Sequence, residues 1–302
     1  TDAWLVDEVG DQNAGEVFLR ASSLRQVFGI VGIGFSVLLA NFSLALPIVI
    51  SGAIYLILGV FLVALMPEHN FKPSPREGRT TRQTMWHTFN DGVKLTRAQP
   101  VIVSLIGFDF LHGLFSEGYD RLWTAYIIAT FTLPTLFGFT SVIWFGIAAA
   151  ASRLLSIAIT ETIRRRFDLN QQAVSARLLW IINALLVACL IAFPLAPNFY
   201  LALSAVMLIG AFRYAIDPIH GNWLNQRITD SRVRATVLSM SSQMNAVGQI
   251  AGGPAIGVVG NSFSVRAALL ISAVILSPVL PLLSRAQVPV ISEQLSVTEA
   301  EA

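Results

Sequence analysis

Long apolar runs dominate this sequence and predict membrane-spanning helices. The first run, from Gln26 to Met66, contains no charged residue and is interrupted near Asn41. About 20 apolar residues cross a bilayer core, so this run holds two spans, the second beginning at Pro47. Hydropathy windows of that length predict eight spans in all. Their approximate bounds are 25–45, 47–66, 100–120, 137–162, 177–195, 198–217, 235–259 and 265–284.

Lysine and arginine are distributed unevenly among the connecting loops. Cytoplasmic loops collect basic residues, whereas the loops on the opposite side do not. The poorly charged loops contain only Arg121 and Arg266. The other basic residues lie before the first span, in every second loop and after the last span, and include Arg20, Arg25, Lys72, Arg76, Arg79, Arg82, Lys94, Arg97, Arg164, Arg165, Arg166, Arg177, Arg227, Arg232, Arg234 and Arg285. This asymmetry predicts that both termini are cytoplasmic.

The loop at 67–99 is the one long connection, and it separates two spans from six. Within it, Met85, Phe89 and Val93 recur every four residues with charged residues between them. This spacing predicts an amphipathic helix at the cytoplasmic interface, with an ordinary linker as the alternative. The acidic tail at 285–302 is expected to be disordered.

An internal repeat relates two of the entries into apolar spans. Residues 4–34 align with residues 223–253 without a gap, at an offset of 219, and 8 of 31 positions are identical. Weak internal similarity of this kind is how duplicated transporter halves show themselves. The identical pairs are Trp4/Trp223, Leu5/Leu224, Asp11/Asp230, Leu19/Leu238, Ser22/Ser241, Ser23/Ser242, Gly29/Gly248 and Gly34/Gly253. The repeat therefore indicates two related halves.

The composition is that of a polytopic membrane protein. Charged residues make up only 13% of the chain, against about a quarter in a soluble domain. The single cysteine, Cys189, provides neither a disulfide framework nor a metal site, and a net charge of +2 gives no basic surface for nucleic acid. No phosphate-binding loop, His-Glu-x-x-His sequence or Gly-x-Ser-x-Gly sequence is present. An enzyme, a cofactor and a metal ion are therefore not expected.

Several segments resemble the major facilitator superfamily of transporters. Ala3–Glu8 resembles the cytoplasmic end of that family's fourth helix, and Arg20–Gln26 with the glycines that follow resembles the fifth. Met66–Phe71 resembles the exit of the sixth helix, Glu117–Trp123 the outer end of the seventh, and Arg234–Pro254 the entry to the eleventh. The eight predicted spans then correspond to helices five to twelve of twelve.

This resemblance implies an all-helical bundle that moves a small solute by alternating access, with its site between two six-helix halves near the bilayer midplane. If the repeat offset of 219 residues separates two equivalent halves, four further spans are expected upstream of Thr1. Residues 1–66 are then a remnant of the amino-terminal half, and 100–284 a complete carboxyl-terminal half. The expected partners are a small-molecule substrate, a proton and the lipid bilayer of a bacterial plasma membrane, with the protein itself a monomer.

Ionisable side chains inside spans are candidate transport residues, because insertion of each costs about 2.5–3.5 kcal/mol and they face the bundle interior by default. In the third span, Asp109 and Asp120 share one helix face, and His112 and Glu117 lie close to it. Asp109 and His112 are expected near the membrane middle, where they are candidates for proton coupling. The alternative is a structural lock, in which Asp120 pairs with Arg121 or with a polar group of another helix.

The sixth span carries Arg213, Asp217 and His220 on one face. An Arg213–Asp217 ion pair is the simplest interpretation, and binding of an anionic substrate group by Arg213 is the alternative. Arg153, in the fourth span, has no suitable acid on its own helix. It is expected to meet Asp109 or Asp217 instead.

Glycines in the first and seventh spans are expected to allow close helix packing, with substrate contact as the alternative. The packing set comprises Gly29, Gly32, Gly34, Gly248, Gly252, Gly253 and Pro254. The first span lacks the Gly-Pro pair typical of the family's drug–proton antiporters, which argues against that assignment.

Cytoplasmic charges on the two halves are candidates for ion pairs across an inner gate, where they would stabilise one access state. The alternative is that they only fix the topology and bind anionic lipid. The gate candidates are Asp7, Glu8, Arg20, Arg25, Arg164, Arg232 and Arg234.

Proton-coupled secondary transport of a small solute is the function that the sequence favours. A membrane receptor or scaffold without transport activity would share the topology, but it has no reason to place Asp109 and Arg213 inside spans. An inactive, truncated transporter fragment is the third possibility, which a reading frame with four more spans upstream would exclude.

Overall fold

The computed structural model describes residues 28–65, 100–135, 142–167, 171–227 and 231–286, and these residues are helical, with short connections and no strand among them. The helices are α1 (Phe28–Phe42), α2 (Leu46–Leu65), α3 (Pro100–Thr130), α4 (Ile143–Arg166), α5 (Gln172–Leu195), α6 (Phe199–Arg227), α7 (Ser231–Ser262), α8 (Val265–Leu276) and α9 (Val279–Ala286). Each of the eight predicted spans falls on one helix or on the α8–α9 pair. The predicted all-helical fold is confirmed.

Helix ends differ from the ends of the apolar runs. α3 continues to Thr130 and α6 to Arg227, beyond the spans predicted at 100–120 and 198–217. Backbone hydrogen bonds form regardless of side-chain polarity, so a helix does not have to end where its hydrophobic run ends. The last predicted span is interrupted after Leu276, because Pro278 fixes its own φ and has no N–H to donate.

Five helical stretches within the described residues are long and apolar enough to cross a membrane: Leu46–Ala64, Ile143–Arg166, Ala173–Leu195, Phe199–Leu224 and Val265–Ser284. α3 and α7 are not among them, because α3 carries four charged side chains and α7 is rich in serine, glutamine and glycine. α1 is apolar but shorter. The protein is an integral membrane protein, and much of the candidate site lies on α3 and α7.

The chain divides into two compact units. The first comprises residues 1–79 and 134–150, and the second comprises residues 80–133 and 151–302. α4 begins in the first unit and continues into the second. The domain boundaries that the sequence suggests at 66, 99 and 284 stay predictions, and the proposed amphipathic segment at 67–99 lies outside the described residues.

In the first unit, α1 lies against the beginning of α4. A Cβ atom on Gly146 would overlap the side chain of Val37, so the two helices touch at this glycine. The indole nitrogen of Trp144 donates a hydrogen bond of 2.7 Å to the carbonyl of Pro134. The apolar side chains of α2 are largely exposed within the described residues, with Val63 at 90%.

In the second unit, α3 packs most extensively along α7 and also contacts α6, α8 and α9. α5 packs along α6, and α8 contacts α3, α5 and α7. The side chains of Leu105, Phe108 and Phe115 on α3 are almost completely buried, as is Trp223 on α6. The central position of α3 brings its polar face against α6 and α7, where burial makes every unpaired polar group costly.

Candidate functional site

Asp109 lies in the interior of the second unit, where α6 and α7 meet α3. Its residue is only 8% exposed. The hydroxyl of Ser241 on α7 donates a hydrogen bond to its carboxylate, and Nδ1 of His220 on α6 lies 3.7 Å from Oδ1. A carboxylate at this depth therefore contacts side chains from two other helices, and a change in its charge acts on both.

His112 and His220 flank one aromatic ring. Phe108 stacks against His112 with ring centroids 4.2 Å apart and against His220 at 4.5 Å. Nε2 of His112 makes a hydrogen bond of 2.8 Å with Oδ1 of Asn183 on α5, whose amide nitrogen donates to the carbonyl of Leu179. His112 is thus linked to α5 rather than to Asp109, and the two proposed coupling residues have separate partners.

An amide ladder, formed by the side chains of Asn245 and Gln249 on α7, begins at Asp109 of α3. Nδ2 of Asn245 donates to the backbone carbonyl of Asp109 over 3.1 Å. One turn further on, Nε2 of Gln249 donates to Oδ1 of Asn245 over 2.7 Å. Ser241, Asn245 and Gln249 occupy successive turns of one helix face, so they connect Asp109 with the surface that Gln249 lines.

That surface is a cleft of about 590 Å³ between α3 and α7. Glu117 and Arg121 on α3 form an ion pair one turn apart. The α7 side of the cleft consists of Ala246, Gln249, Ile250, Gly253 and Pro254. The cleft therefore combines one acidic and one basic group with a mostly apolar wall.

Asp120 binds Arg213 across the α3–α6 contact. The guanidinium donates two parallel hydrogen bonds to the carboxylate, of 2.6 and 2.8 Å, in the planar arrangement that arginine favours. Arg213 also lies over the rings of Phe115 and Tyr119. The predicted Arg213–Asp217 pair is wrong: Asp217 is exposed, and the partner of Arg213 comes from another helix.

Arg153 does not form the ion pair predicted for it. Its guanidinium lies 5.1 Å from the centre of the Tyr214 ring on α6, and no ion pair with Asp109 or Asp217 occurs among the described residues. The π-face of a tyrosine is a weaker counterpart than a carboxylate. Nε of Arg153 is buried and makes no hydrogen bond within the described part of the chain.

Glycines bring α3 and α7 into backbone contact. A Cβ atom on Gly248 would overlap the carbonyl of Phe110, and one on Gly252 would overlap the carbonyl of Leu114. Gly113 on α3, which the sequence analysis did not single out, would likewise overlap the Asn245 carbonyl if it carried a Cβ. Only glycine allows backbones to approach so closely.

The other members of the glycine set have different surroundings. Gly253 faces the Glu117 side chain, whose Cγ lies 3.2 Å from where a Cβ would be. Gly32 and Gly34 meet nothing within 4 Å among the described residues. Pro254 forms part of the cleft wall, and Gly29 lies on α1.

Most of the gate candidates are not described. Asp7, Glu8, Arg20 and Arg25 lie outside the described residues, and the side chains of Arg232 and Arg234 on α7 are also not described. Arg164 pairs with Glu161 on its own helix at 2.7 Å, and Arg165 pairs with the same carboxylate at 2.6 Å. No partner from another helix is recorded for Arg164 in this part of the chain.

The sequence did not predict two polar partners in the site, Asn183 and Ser241. Asn183 stands alone in an apolar run, and that isolation was an available signal. Ser241 belongs to the internal repeat, but nothing in the sequence connects it with Asp109. Within the described ranges, no group of His, Cys, Asp and Glu has a geometry that could hold a metal ion.

Comparison with solved structures identifies the architecture. A bacterial homologue of the human lysosomal transporter Spinster, in an inward-facing and unoccupied conformation, matches with a TM-score of 0.58. The match covers 95% of this chain and 73% of the other, at 15% sequence identity. This chain shares the fold of that transporter. No family model and no curated protein matches the sequence. At this identity the transporter fold is what the comparison establishes.

Proposed function

We propose that this protein moves a small solute across the membrane by alternating access, coupled to a proton that binds at Asp109. The fold supports transport, because the matched protein is a transporter. The observation that carries the proposal is the buried carboxylate of Asp109, which contacts Ser241 of α7 and lies near His220 of α6. Intramembrane carboxylates in such positions mark proton and substrate pathways.

Protonation of Asp109 changes the interactions among three helices. The ionised carboxylate accepts a hydrogen bond from the Ser241 hydroxyl. The neutral carboxyl group is a weaker acceptor, can itself donate a hydrogen bond, and no longer places a negative charge beside His220 of α6. Because low dielectric strengthens charge interactions, this change favours one helix arrangement over another. The proton gradient can then drive the change between access states.

The test is proton flux in proteoliposomes that contain a pH-sensitive dye. A pH gradient is imposed, and amino acids, sugars, organic cations and organic anions are added in turn. We expect at least one solute to dissipate the gradient through the wild-type protein, and Asp109→Asn to abolish the proton flux while retaining the folded, monodisperse state. Glu161→Gln is the control, because Glu161 pairs only with exposed arginines on its own helix among the described residues.

Solute-dependent proton flux that is unchanged in Asp109→Asn would remove the coupling role. Folded protein that moves none of the solute classes would favour the receptor or scaffold interpretation instead.

A further inference from the structure

The cleft between α3 and α7 contains a complete pair of opposite charges beside an apolar wall. Glu117 and Arg121 form the pair, and Ile250 and Pro254 are among the apolar residues opposite them. Gln249 adds a neutral amide. A volume of about 590 Å³ lies within the range of small-molecule sites, roughly 300–1,000 Å³.

The two charges lie at different depths. The side chain of Glu117 is 24% exposed, whereas that of Arg121 is 73% exposed. The carboxylate is therefore the deeper group, and the guanidinium lies towards solvent. An ion pair this exposed contributes little to stability, so a ligand can separate the two groups at little cost.

The geometry points to this cleft as the binding site of a zwitterionic solute, whose ammonium group contacts Glu117 and whose acidic group contacts Arg121. This inference rests on the proposed transport function and names its substrate class. A zwitterion replaces one ion pair by two and leaves the net charge of the cleft unchanged. A solute with only one charge replaces one pair by another and leaves the second side chain without its partner.

The apolar wall adds a preference for a hydrocarbon body. Ala246, Ile250 and Pro254 offer no hydrogen bonds from their side chains, so they favour an aliphatic substituent over a hydroxylated one. Gly253 fixes the depth of the cleft, because a Cβ there would lie 3.2 Å from Cγ of Glu117. A methyl group at this position would require the Glu117 side chain to shift by a few tenths of an ångström.

The amide ladder connects this cleft with the proposed proton site. Gln249 lines the cleft and donates to Asn245, which in turn donates to the carbonyl of Asp109. A ligand that moves Gln249 therefore acts on the segment of α3 that carries Asp109. This contact is a physical route between solute binding and proton binding.

The test is isothermal titration of the protein purified in detergent with three compounds that share a branched hydrocarbon chain. L-leucine carries both charges, 3-methylbutylamine only the ammonium group and 4-methylpentanoate only the carboxylate. We expect leucine to bind at least about tenfold more tightly than either analogue, because each analogue lacks one charge-assisted contact.

Variants assign the binding to the cleft. Glu117→Gln and Arg121→Gln should each weaken leucine binding by about tenfold or more, and Gly253→Ala should weaken it without changing any charge. Arg165→Gln is the matched control. Arg165 is 74% exposed and also pairs with a glutamate one turn away, but it lies on α4.

Three results would overturn the inference: no leucine binding, equal binding of the amine or the acid, or leucine binding that is insensitive to both charge variants. These are equilibrium measurements, so they are separate from the flux assay. If leucine does not bind but another solute gives Asp109-dependent flux, the proposed function stands and the zwitterionic substrate class is refuted. Specific leucine binding without any flux would retain the site and refute transport.

Discussion

At the scale of single residues, burial decides which polar contacts matter. Asp109 and Ser241 are each only 8% exposed, so water cannot replace a contact that either loses. Ser242, the next residue along α7, is exposed, and its hydroxyl binds the carbonyl of Leu238 within the same helix. The two neighbouring serines have the same chemistry and very different surroundings.

Ser241→Ala should therefore lower the free energy of unfolding by about 1–3 kcal/mol, because a buried carboxylate loses a donor. Ser242→Ala should change it by less than about 0.5 kcal/mol, as is usual for a surface substitution. Equilibrium unfolding in mixed micelles measures both values. Equal effects of the two substitutions would show that Ser241 does not hold Asp109.

The partner of Arg213 is also decided by geometry. Asp217 follows one turn later on α6, but its side chain is exposed. Asp120 presents both carboxylate oxygens to the guanidinium from α3, with Phe115 and Tyr119 beside it. Two parallel hydrogen bonds between the guanidinium and the Asp120 carboxylate stabilise Arg213 more than an attraction to Asp217 along the same helix.

A double-mutant cycle of Asp120→Asn and Arg213→Gln should give a coupling free energy of about 1 kcal/mol, at the upper end for a partly exposed pair. The matched cycle with Asp217→Asn and Arg213→Gln should give a smaller value, because no ion pair joins these two side chains within the described residues. Unfolding free energies of the single and double variants provide both numbers. A larger coupling with Asp217 would contradict this arrangement.

At the scale of the helices, α3 and α7 are held at backbone contact by glycines. Gly113, Gly248 and Gly252 each lie where a Cβ would overlap a backbone atom of the opposite helix. Gly257, further along α7, meets nothing within 4 Å among the described residues. The same residue type thus serves close packing at one position and has no packing requirement at another.

Gly252→Ala should destabilise the protein by about 1–3 kcal/mol, because the added methyl group forces the helices apart. Gly257→Ala should stabilise it by up to about 1 kcal/mol, since alanine favours the helix and finds free space. Thermal unfolding of the two variants should therefore shift in opposite directions. A stabilising Gly252→Ala would show that the two backbones are not in contact.

At the scale of the whole molecule, α3 connects the polar clusters of the second unit. It carries Asp109, Glu117 and Asp120, whose partners lie on α7, within α3 itself and on α6. The proposed proton site, the proposed solute site and a structural ion pair therefore lie on one helix. Proton flux through the intact protein is the measurement at this scale, because it requires all three clusters to work together.

The sequence predicted the helices better than it predicted their contacts. Where the structure describes them, the first apolar run and the later ones are helical apart from short connections, because about 20 apolar residues without a charge leave few other structures available in a bilayer. The spacing of the charged residues also predicted the polar face of α3. The sequence did not predict the partners of Asp109, Arg153 and Arg213, because helical periodicity orders residues only within one helix.

By itself, the sequence determined an all-helical membrane protein with its charged candidates on a few long helices, since backbone hydrogen bonding and apolar length are local properties. Tertiary structure alone decided that Ser241 binds Asp109, that Asp120 rather than Asp217 binds Arg213, and that Glu117 and Arg121 open onto a cleft. These contacts join residues more than ninety positions apart or depend on how two helices are rotated against each other. Such rotation is set by packing along the whole of each helix, including its glycines.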